Sequence, residues 1–282
     1  MNPARAEVRY SSAATLRTPG LFLRQAWSDL RRAREPARHL FLRNLRSQHR
    51  QSVLGYLWLL LPPLATALVW TGLNYARVLP IGRTSVPYPL YVLCGSMLWT
   101  SFVESLKVPI TGVRGSRDIL AKVRVPHEAV ILSGVTSVFF NFLIRLVLVL
   151  AALLFYGINP GWSLLLVPFG VLSIVMFGLA IGLWLAPLGL LYTDVSRAVD
   201  LLLGFGFLVT PIVYPIPKVW PASLISELNP LVPLLATTRC WLEGSGLAPF
   251  PGFYAIAALA AVAMLGGWLM YRVAAPHLLP RL

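Results

Sequence analysis

The chain has 282 residues, of which 57% are hydrophobic and only 12% are charged, and its mean hydropathy is +0.72. A soluble domain of this length carries about twice that charged fraction. Because apolar runs long enough to cross a bilayer recur along the chain, the composition excludes an ordinary soluble domain and indicates a polytopic membrane protein.

The net charge of +14 is unevenly distributed. Of the 24 basic residues, 21 are arginines and 11 precede residue 53. Basic residues beside a membrane span are typical of an orientation signal that also contacts anionic lipid, which argues against a nucleic-acid partner. The two cysteines, Cys94 and Cys240, match no metal-binding spacing and are expected to be free.

Residues 1–52 are predicted to form a cytoplasmic arm. Residues 1–20 are polar without a clear period, whereas apolar positions recur at helical spacing from Leu21 and again after Pro36. Amphipathic helices of this kind lie in the headgroup plane of a membrane. The first apolar run begins only at Val53 and no cleavage site precedes it, so we expect no removable signal peptide.

Six spans are predicted within a transmembrane domain of residues 53–275. They lie at about 53–76, 88–110, 129–156, 163–190, 198–216 and 251–274. With the N-terminus inside, the inner segments hold 19 Lys and Arg residues and the outer segments hold four. The positive-inside rule therefore places both termini, including a tail of residues 276–282, in the cytoplasm.

Two connecting segments are unusual. Between spans five and six, short helices are predicted at about 219–228 and 231–243, hinged at Asn229-Pro230. This segment is too apolar for a loop and too rich in proline to cross, so we expect a re-entrant hairpin, with a surface amphipathic hairpin as the alternative. The second inner loop contains an amphipathic helix at about 115–125 that could enter a groove on a soluble partner, or else rest on lipid headgroups.

The ionisable residues within the spans do not suggest an enzyme. The ionisable candidates are Glu104, Lys107, Arg145 and Asp200, and Glu104 and Lys107 are predicted to pair at spacing i, i+3 near the inner end of their span. Arg145 lies about 24 Å from the inner end of its span, so we expect it to be far from Glu104 and to snorkel or bind backbone carbonyls. The four histidines do not cluster, which argues against an integral-membrane glycosyltransferase or lipid phosphatase.

No nucleotide-binding or hydrolytic motif is present. The phosphate loops GxxxxGK[ST] and GxGxxG and the motifs HExxH and GxSxG do not occur in the sequence. We therefore predict that the chain has no catalytic residues, metal or cofactor, and that energy for any uphill transport enters through another subunit.

Four segments in order resemble a known family. They are the basic arm that runs into "SVLGYLW" and "PPL", the loop helix "ILAKVRVPHE", the segment "LLYTDVSR", and "TPIVYP" followed by "ELNPL". Together they resemble the permease of a type-2 ABC transporter that exports polysaccharide, a family whose members export O-antigen, capsule or teichoic acid chains. The resemblance covers residues 21–275, with one departure. Where the family has an Arg-Asp pair, this chain has Thr193-Asp194, so Asp194 is expected to pair with Arg197.

The resemblance implies an all-α permease in the bacterial inner membrane. Two copies of the chain would assemble with two copies of a cytosolic ATPase that binds ATP and Mg²⁺. The segment "ILAKVRVPHE" would be the coupling helix, and residues 38–51 an amphipathic gate helix. The implied substrate is a long glycan carried on a polyprenyl lipid through a pyrophosphate. The residues expected to contact the ATPase are Arg117, Asp118, Leu120 and Lys122.

The gate helix is expected to bind the substrate headgroup. Arg43, Arg46 and Arg50 recur at i, i+3 and i+7 and so share one face, and guanidinium groups bind phosphate oxygens through paired hydrogen bonds. Pro62 and Pro63 free backbone carbonyls in the first span and favour a bend beside the gate. Alternatively, these arginines only set orientation and contact anionic lipids.

The glycan path is expected to use aromatic rings, on which pyranose faces stack. The candidates, which could instead belong to an interfacial belt, are Trp70, Tyr75, Tyr88, Trp99 and Tyr214. Two other functions stay open at this point: a type-2 permease for a lipid, drug or other hydrophobic small molecule, and a passive membrane scaffold.

Overall fold

The computed structural model describes residues 19–50, 54–78, 81–115, 127–217 and 219–278, and the regular structure within these ranges is entirely helical. The arm forms α1 (Pro19–Arg32) and α2 (Arg34–Arg50). The remaining helices are α3 (Leu57–Tyr75), α4 (Tyr88–Gly115), α5 (His127–Phe155), α6 (Val167–Leu191), α7 (Thr193–Val209), α8 (Ala222–Leu228), α9 (Leu231–Glu243) and α10 (Phe253–Leu278), with a 3-10 helix at Gly161–Leu166 before α6. The all-helical prediction is confirmed.

Four helical segments among the described residues are long and apolar enough to cross a membrane. They are Leu57–Tyr75, Glu128–Phe155, Gly161–Leu191 and Phe253–Ala274. The chain is therefore membrane-embedded, while the two further spans predicted from the sequence correspond to α4 and α7. The 17 residues of α7 are few for a span, and α4 carries more polar residues than the others.

Three serines of α4 lie inside the protein. Ser96, Ser101 and Ser105 are all buried, and each hydroxyl donates to a carbonyl of the preceding turn at 2.7–3.1 Å. Local bonds of this kind satisfy the hydroxyls without any partner from another helix. A helix can therefore occupy the centre of a membrane domain although its hydropathy is modest.

Helices α4 and α6 approach each other closely in the core. A Cβ atom added at Gly178 would lie 2.0 Å from Ser105 Oγ, and one added at Gly182 would lie 2.2 Å from the carbonyl oxygen of Leu106. Two glycines four residues apart on one helix let neighbouring backbones approach closely, as in other membrane helix pairs. The spacing Gly-x-x-x-Gly in "GLAIG" was the available sequence signal for this contact.

The two ends of the bundle differ. At one end, which we call the arm end, α1 and α2 pack on the bundle through small residues, since Ala33 and Ala37 belong to the same buried cluster as Ala129 and Tyr271. At the opposite hairpin end, α8 and α9 follow the non-helical segment 210–217. Helix α9 is buried along almost its whole length, whereas α8 is mostly exposed. The helix predicted at 231–243 therefore occurs at those bounds, and the one predicted at 219–228 begins at Ala222.

Several sequence predictions lie outside the described residues. They include the structure of residues 1–18 and 279–282 and most of the predicted coupling helix, with Arg117, Asp118, Leu120 and Lys122. The expectation for the cysteines is confirmed, because Cys94 and Cys240 are both free thiols.

Candidate functional site

Two of the three predicted gate arginines lie on the exposed side of α2. Arg43 and Arg46 are exposed, whereas Ala37 and Leu40 on the opposite side are buried. Arg50 ends the helix, and its side chain is outside the described part of the structure. The arm thus presents at least two guanidinium groups away from the bundle, where an anion could reach them.

The arm and the first span meet on α5. The ring of Phe140 lies 5.7 Å from that of Phe41 in α2 and 5.8 Å from that of Tyr56 at the start of α3, both in edge-to-face geometry. Edge-to-face packing of aromatic rings adds to the free energy gained from burial alone. A single residue of α5 therefore contacts both the gate helix and the beginning of the span that follows it.

An ion cluster fixes α1 at the arm end. The guanidinium of Arg272 in α10 binds the carboxylate of Asp29 in α1, and its Nη1 lies 3.3 Å from Glu128 Oε1 in α5. All three side chains are at most 15% exposed. Shielding from solvent strengthens such pairs, so the cluster joins three helices that are distant in sequence.

The expected Glu104–Lys107 pair is wrong. Glu104 binds Arg145, which is only 3% exposed, while Lys107 Nζ lies 2.6 Å from Asp200 Oδ1 in α7. Asn141 Nδ2 donates to the second oxygen of Glu104 at 3.3 Å. Each acidic residue of this region therefore pairs across helices rather than along its own helix.

The expected separation of Arg145 from Glu104 is also wrong, and the direction of the side chains explains the error. Gly112 and Val108 in α4 lie against Val130 and Gly134 in α5, so the two helices are antiparallel. Side chains lean toward the N-terminus of their own helix. In an antiparallel pair, Glu104 and Arg145 consequently lean toward each other, and two long side chains cover the distance between their Cα positions.

The expected carbonyl contact of Arg145 is present. Its Nε donates to the carbonyl oxygen of Leu59 in α3 at 3.4 Å.

At the start of α7, Asp194 and Arg197 form the expected ion pair, in which Arg197 Nη1 lies 3.4 Å from Asp194 Oδ1, and both side chains are more than four-fifths exposed. An ion pair so exposed contributes little to the stability of the protein. Because both side chains are exposed, they are accessible to a partner.

The five aromatic residues predicted for a glycan path occupy different environments. Tyr75, at the end of α3, is 91% exposed, whereas Trp99 is 8% exposed and its ring centroid lies 6.0 Å from that of Phe207. Trp70 packs against the core. The hydroxyls of Tyr88 and Tyr214 donate to the carbonyls of Val213 and Leu208 at 2.9 and 2.7 Å. The two tyrosines are therefore held by the chain around the segment 210–217.

Arg239 stabilises that segment, a role that the sequence analysis missed. The residue is buried, its Nη1 donates to the carbonyls of Pro211 and Ile212 at 3.2 and 3.3 Å, and its guanidinium carbon lies 3.9 Å from the ring centroid of Tyr91. Non-helical backbone within a membrane protein requires such partners. In the motif "TPIVYP" the carbonyls of Pro211 and Ile212 therefore accept hydrogen bonds from Arg239 in place of helical ones.

Glu243 completes the site. Its Oε1 lies 4.0 Å from Arg239 Nε, and Ser85 donates to its other oxygen. An Arg-x-x-x-Glu spacing in an otherwise apolar helix was the sequence signal for this pair.

An apolar groove of about 320 Å³ runs between α4, α6 and α7. Trp99, Phe102 and Phe177 contribute aromatic side chains to its wall, and Asn229, whose Nδ2 donates to Thr210 Oγ1 at 2.9 Å, also lines it. No group of three or more potential metal ligands occurs within the described ranges.

The helical membrane domain, with its basic arm and helical hairpin, belongs to a known transporter class. Residues 37–239 match the ABC-2 type transporter family, and the chain is a member of that family of membrane permease subunits. Similar proteins include the O-antigen export system permease protein RfbA of Myxococcus xanthus, 31% identical over 233 residues that cover 81% of this chain and 87% of the relative. Two proteins of the same name from Klebsiella pneumoniae are 28% and 26% identical over 202 and 205 residues, in each case 70% of this chain and 76% of the relative.

Proposed function

We propose that the chain is the permease subunit of an ABC exporter that moves a polysaccharide across the bacterial inner membrane, driven by a separate ATPase. The observation that carries this proposal is the similarity to an O-antigen export permease along 87% of that relative's length. The substrate class that we infer is an O-antigen-like glycan attached to a lipid through a pyrophosphate. The chain itself would transport without catalysing a reaction and would bind no nucleotide.

The proposed topology has six spans and two cytoplasmic termini. Helices α4 and α7 would be spans two and five, and α8–α9 would re-enter the membrane from the outer side. The internal bonding of the α4 serines and the burial of α9 support this arrangement, because both allow polar groups to lie within the membrane. The domain bounds are those expected from the sequence: an arm of residues 1–52, a transmembrane domain of 53–275 and a tail of 276–282.

The proposed exporter contains two copies of this chain. Helix α7 exposes large apolar side chains, including Leu201, Leu202 and Phe205, next to the partly exposed Lys107–Asp200 pair. Charged side chains that face lipid are costly, so we expect this side of α7 to face a water-filled path or the second copy. Two ATPase subunits would contact the segment 115–125, with Arg117, Asp118, Leu120 and Lys122 as the contacting residues.

The arm would receive the substrate headgroup. Arg43, Arg46 and Arg50 would bind the pyrophosphate at the inner leaflet, and the exposure of Arg43 and Arg46 supports this role. Of the aromatic residues proposed for the glycan path, Tyr75 is the most accessible and Trp99 lies beside an open groove. Trp70, Tyr88 and Tyr214 would need to contribute through the edges of their rings, because they are partly buried.

The function can be tested in the native bacterium. Deletion of the gene should abolish surface polysaccharide and cause lipid-linked glycan to accumulate inside the cell. The wild-type chain should restore export, whereas a chain with Arg43→Glu and Arg46→Glu should insert normally and bind its ATPase but export less than about a tenth of the glycan, because carboxylates repel the pyrophosphate. Unchanged surface polysaccharide in the deletion strain would refute the proposal, and accumulation of a lipid or drug instead would favour the small-molecule alternative.

A further inference from the structure

The carbonyl of Leu59 lacks its usual partner within α3. In an α-helix the amide of residue 63 would donate to the carbonyl of residue 59, but Pro63 has no N–H. An unpaired carbonyl is costly away from water, so Leu59 requires a donor from outside its helix. Arg145 Nε is that donor, at 3.4 Å.

Arg145 is itself held in place by Glu104, which Asn141 orients in turn. Glu104 in α4 binds its Nη2, and Asn141, one turn before Arg145 in α5, donates to the other carboxylate oxygen of Glu104. The charge of the buried guanidinium is thereby neutralised and its plane is fixed. One arginine consequently links the first turns of α3 to both α4 and α5.

The contact lies beside the junction of the arm with the first span. Phe140, five residues before Arg145 in α5, packs against Phe41 of α2 and against Tyr56, three residues before Leu59. The same stretch of α5 therefore contacts the gate helix, the start of α3 and the carbonyl that Pro63 leaves free.

We propose that Arg145 is a positioning residue for the first span: it binds the Leu59 carbonyl left free by Pro63 and so fixes the junction of arm and span against α4 and α5. Its role in export rests on the proposed function, whereas its role in positioning does not. A guanidinium can reach Glu104 through Nη2 and Leu59 through Nε at the same time, while the three N–H bonds of a lysine radiate from a single atom. The pair of prolines and the intramembrane arginine would then act as a unit.

A double-mutant cycle tests this coupling. Pro63→Ala restores an N–H that can bind the Leu59 carbonyl, so it should make the Nε contact of Arg145 dispensable. Pro62→Ala is the matched control, because it restores the N–H that faces the carbonyl of Trp58 instead. Each proline variant is combined with Arg145→Lys in the full chain, in native membranes.

The readout is the position of the junction. Tyr56→Cys and Phe140→Cys are introduced after Cys94→Ala and Cys240→Ser, and the rate of cross-linking by a short bifunctional thiol reagent is measured. In the chain with both prolines, we expect Arg145→Lys to slow cross-linking about fivefold or more, and the slowing should be equal in the Pro62→Ala chain. In the Pro63→Ala chain, Arg145→Lys should slow cross-linking less than about twofold.

Two results would overturn the proposal: the same slowing in all three backgrounds, which would make Arg145 only a counter-ion for Glu104, or no slowing in any of them. Surface polysaccharide is measured separately, in strains whose chain keeps the native Tyr56, Cys94, Phe140 and Cys240. If the wild-type chain exports no glycan while the cross-linking cycle shows the coupling, the proposed function fails and the positioning role stands.

Discussion

Lys107 Nζ lies 2.6 Å from Asp200 Oδ1, and this ion pair joins α4 to α7 although 39% of the lysine side chain and 58% of the aspartate side chain are exposed. Lys107 is eight residues from the end of α4, and Asp200 is seven residues after the start of α7. Both positions are close to the inner ends of the proposed spans. Exposed charges there require water, headgroups or protein around them, so the pair is a place at which a transport path can be tested.

Reversal of either charge should impair export, and exchange of the two should restore it. Lys107→Asp places two carboxylates together, and Asp200→Lys two ammonium groups, so each single variant should lower surface polysaccharide at least about fivefold. The double variant Lys107→Asp with Asp200→Lys re-forms the pair and should recover at least half of the export. Arg83→Asp, a reversal in an exposed loop, is the control for net charge.

If the double variant is as defective as the single ones while all variants insert equally, the residues act separately and the pair itself has no role. Export by the single variants at the wild-type rate would show that this side of α7 is not part of the path.

Much of this fold is predictable from local patterns, whereas the pairing of its charges is not. The helix 231–243 follows directly from apolar periodicity between a proline and a glycine. The partner of Glu104, in contrast, depends on the register of two antiparallel helices and on the direction in which each side chain leans. Sequence separation favoured Lys107, three residues away, over Arg145, which is 41 residues away and in fact forms the bond.

Buried polar residues of the hairpin were missed for a related reason. Arg239 is one of the four Lys and Arg residues that the positive-inside count assigns to the outer segments, and composition alone gives no sign of its burial. Its partners are backbone carbonyls of a segment that leaves the helix at Thr210, and such acceptors become available only through the tertiary fold. The prolines of "TPIVYP" indicate a helix end, but they do not identify the residue that binds the carbonyls.

Loss of Arg239 should destabilise the hairpin end. Arg239→Met removes two hydrogen bonds and the contact with the Tyr91 ring, and it leaves the carboxylate of Glu243, which is 1% exposed, without its counter-charge. Removal of one partner of a buried pair costs about 3–5 kcal/mol, so the apparent unfolding temperature in detergent should fall by several degrees. Adding Glu243→Gln should recover part of the loss.

Arg197→Gln is the control for this prediction, because it breaks an ion pair that is more than four-fifths exposed and should leave the unfolding temperature unchanged. Equal unfolding temperatures for wild type and Arg239→Met would contradict the role of Arg239 in holding the segment 210–217.

The close contact of α4 with α6 should make Gly182 intolerant of a side chain. A Cβ atom there would lie 2.2 Å from a backbone oxygen, which cannot move aside as a flexible side chain would. Gly182→Ala should therefore force the two helices apart and lower both the yield of folded protein and its unfolding temperature. Gly72→Ala in α3 is the matched control, because it is the same substitution at a position where no other atom lies within 4 Å of the added Cβ.

Since alanine is favoured over glycine in a helix by about 0.5–1 kcal/mol, Gly72→Ala should leave stability unchanged or slightly raised. A normal unfolding temperature for Gly182→Ala would contradict the close approach of α4 and α6.

Removal of Arg272 should release α1 from the bundle. Arg272 bridges Asp29 and Glu128, so Arg272→Gln leaves two carboxylates facing each other without a cation between them. Ala26, on the same helix as Asp29, is fully buried, and a cysteine introduced there reports on detachment. In a chain that lacks Cys94 and Cys240, we expect Ala26→Cys to react with a polar maleimide at least about fivefold faster when Arg272→Gln is present.

Neutralising both carboxylates with Asp29→Asn and Glu128→Gln should restore slow labelling in the Arg272→Gln chain, because the repulsion is removed while the apolar contacts of α1 remain. Arg31→Gln, which changes an exposed cation of the same helix, is the matched control and should not alter the labelling rate. If labelling stays fast in the chain with Arg272→Gln, Asp29→Asn and Glu128→Gln, direct bonds from Arg272 hold α1 in place, and repulsion between the carboxylates is not the cause of its release. Slow labelling in Arg272→Gln alone would show that apolar packing through Ala33 and Ala37 is sufficient to hold the arm.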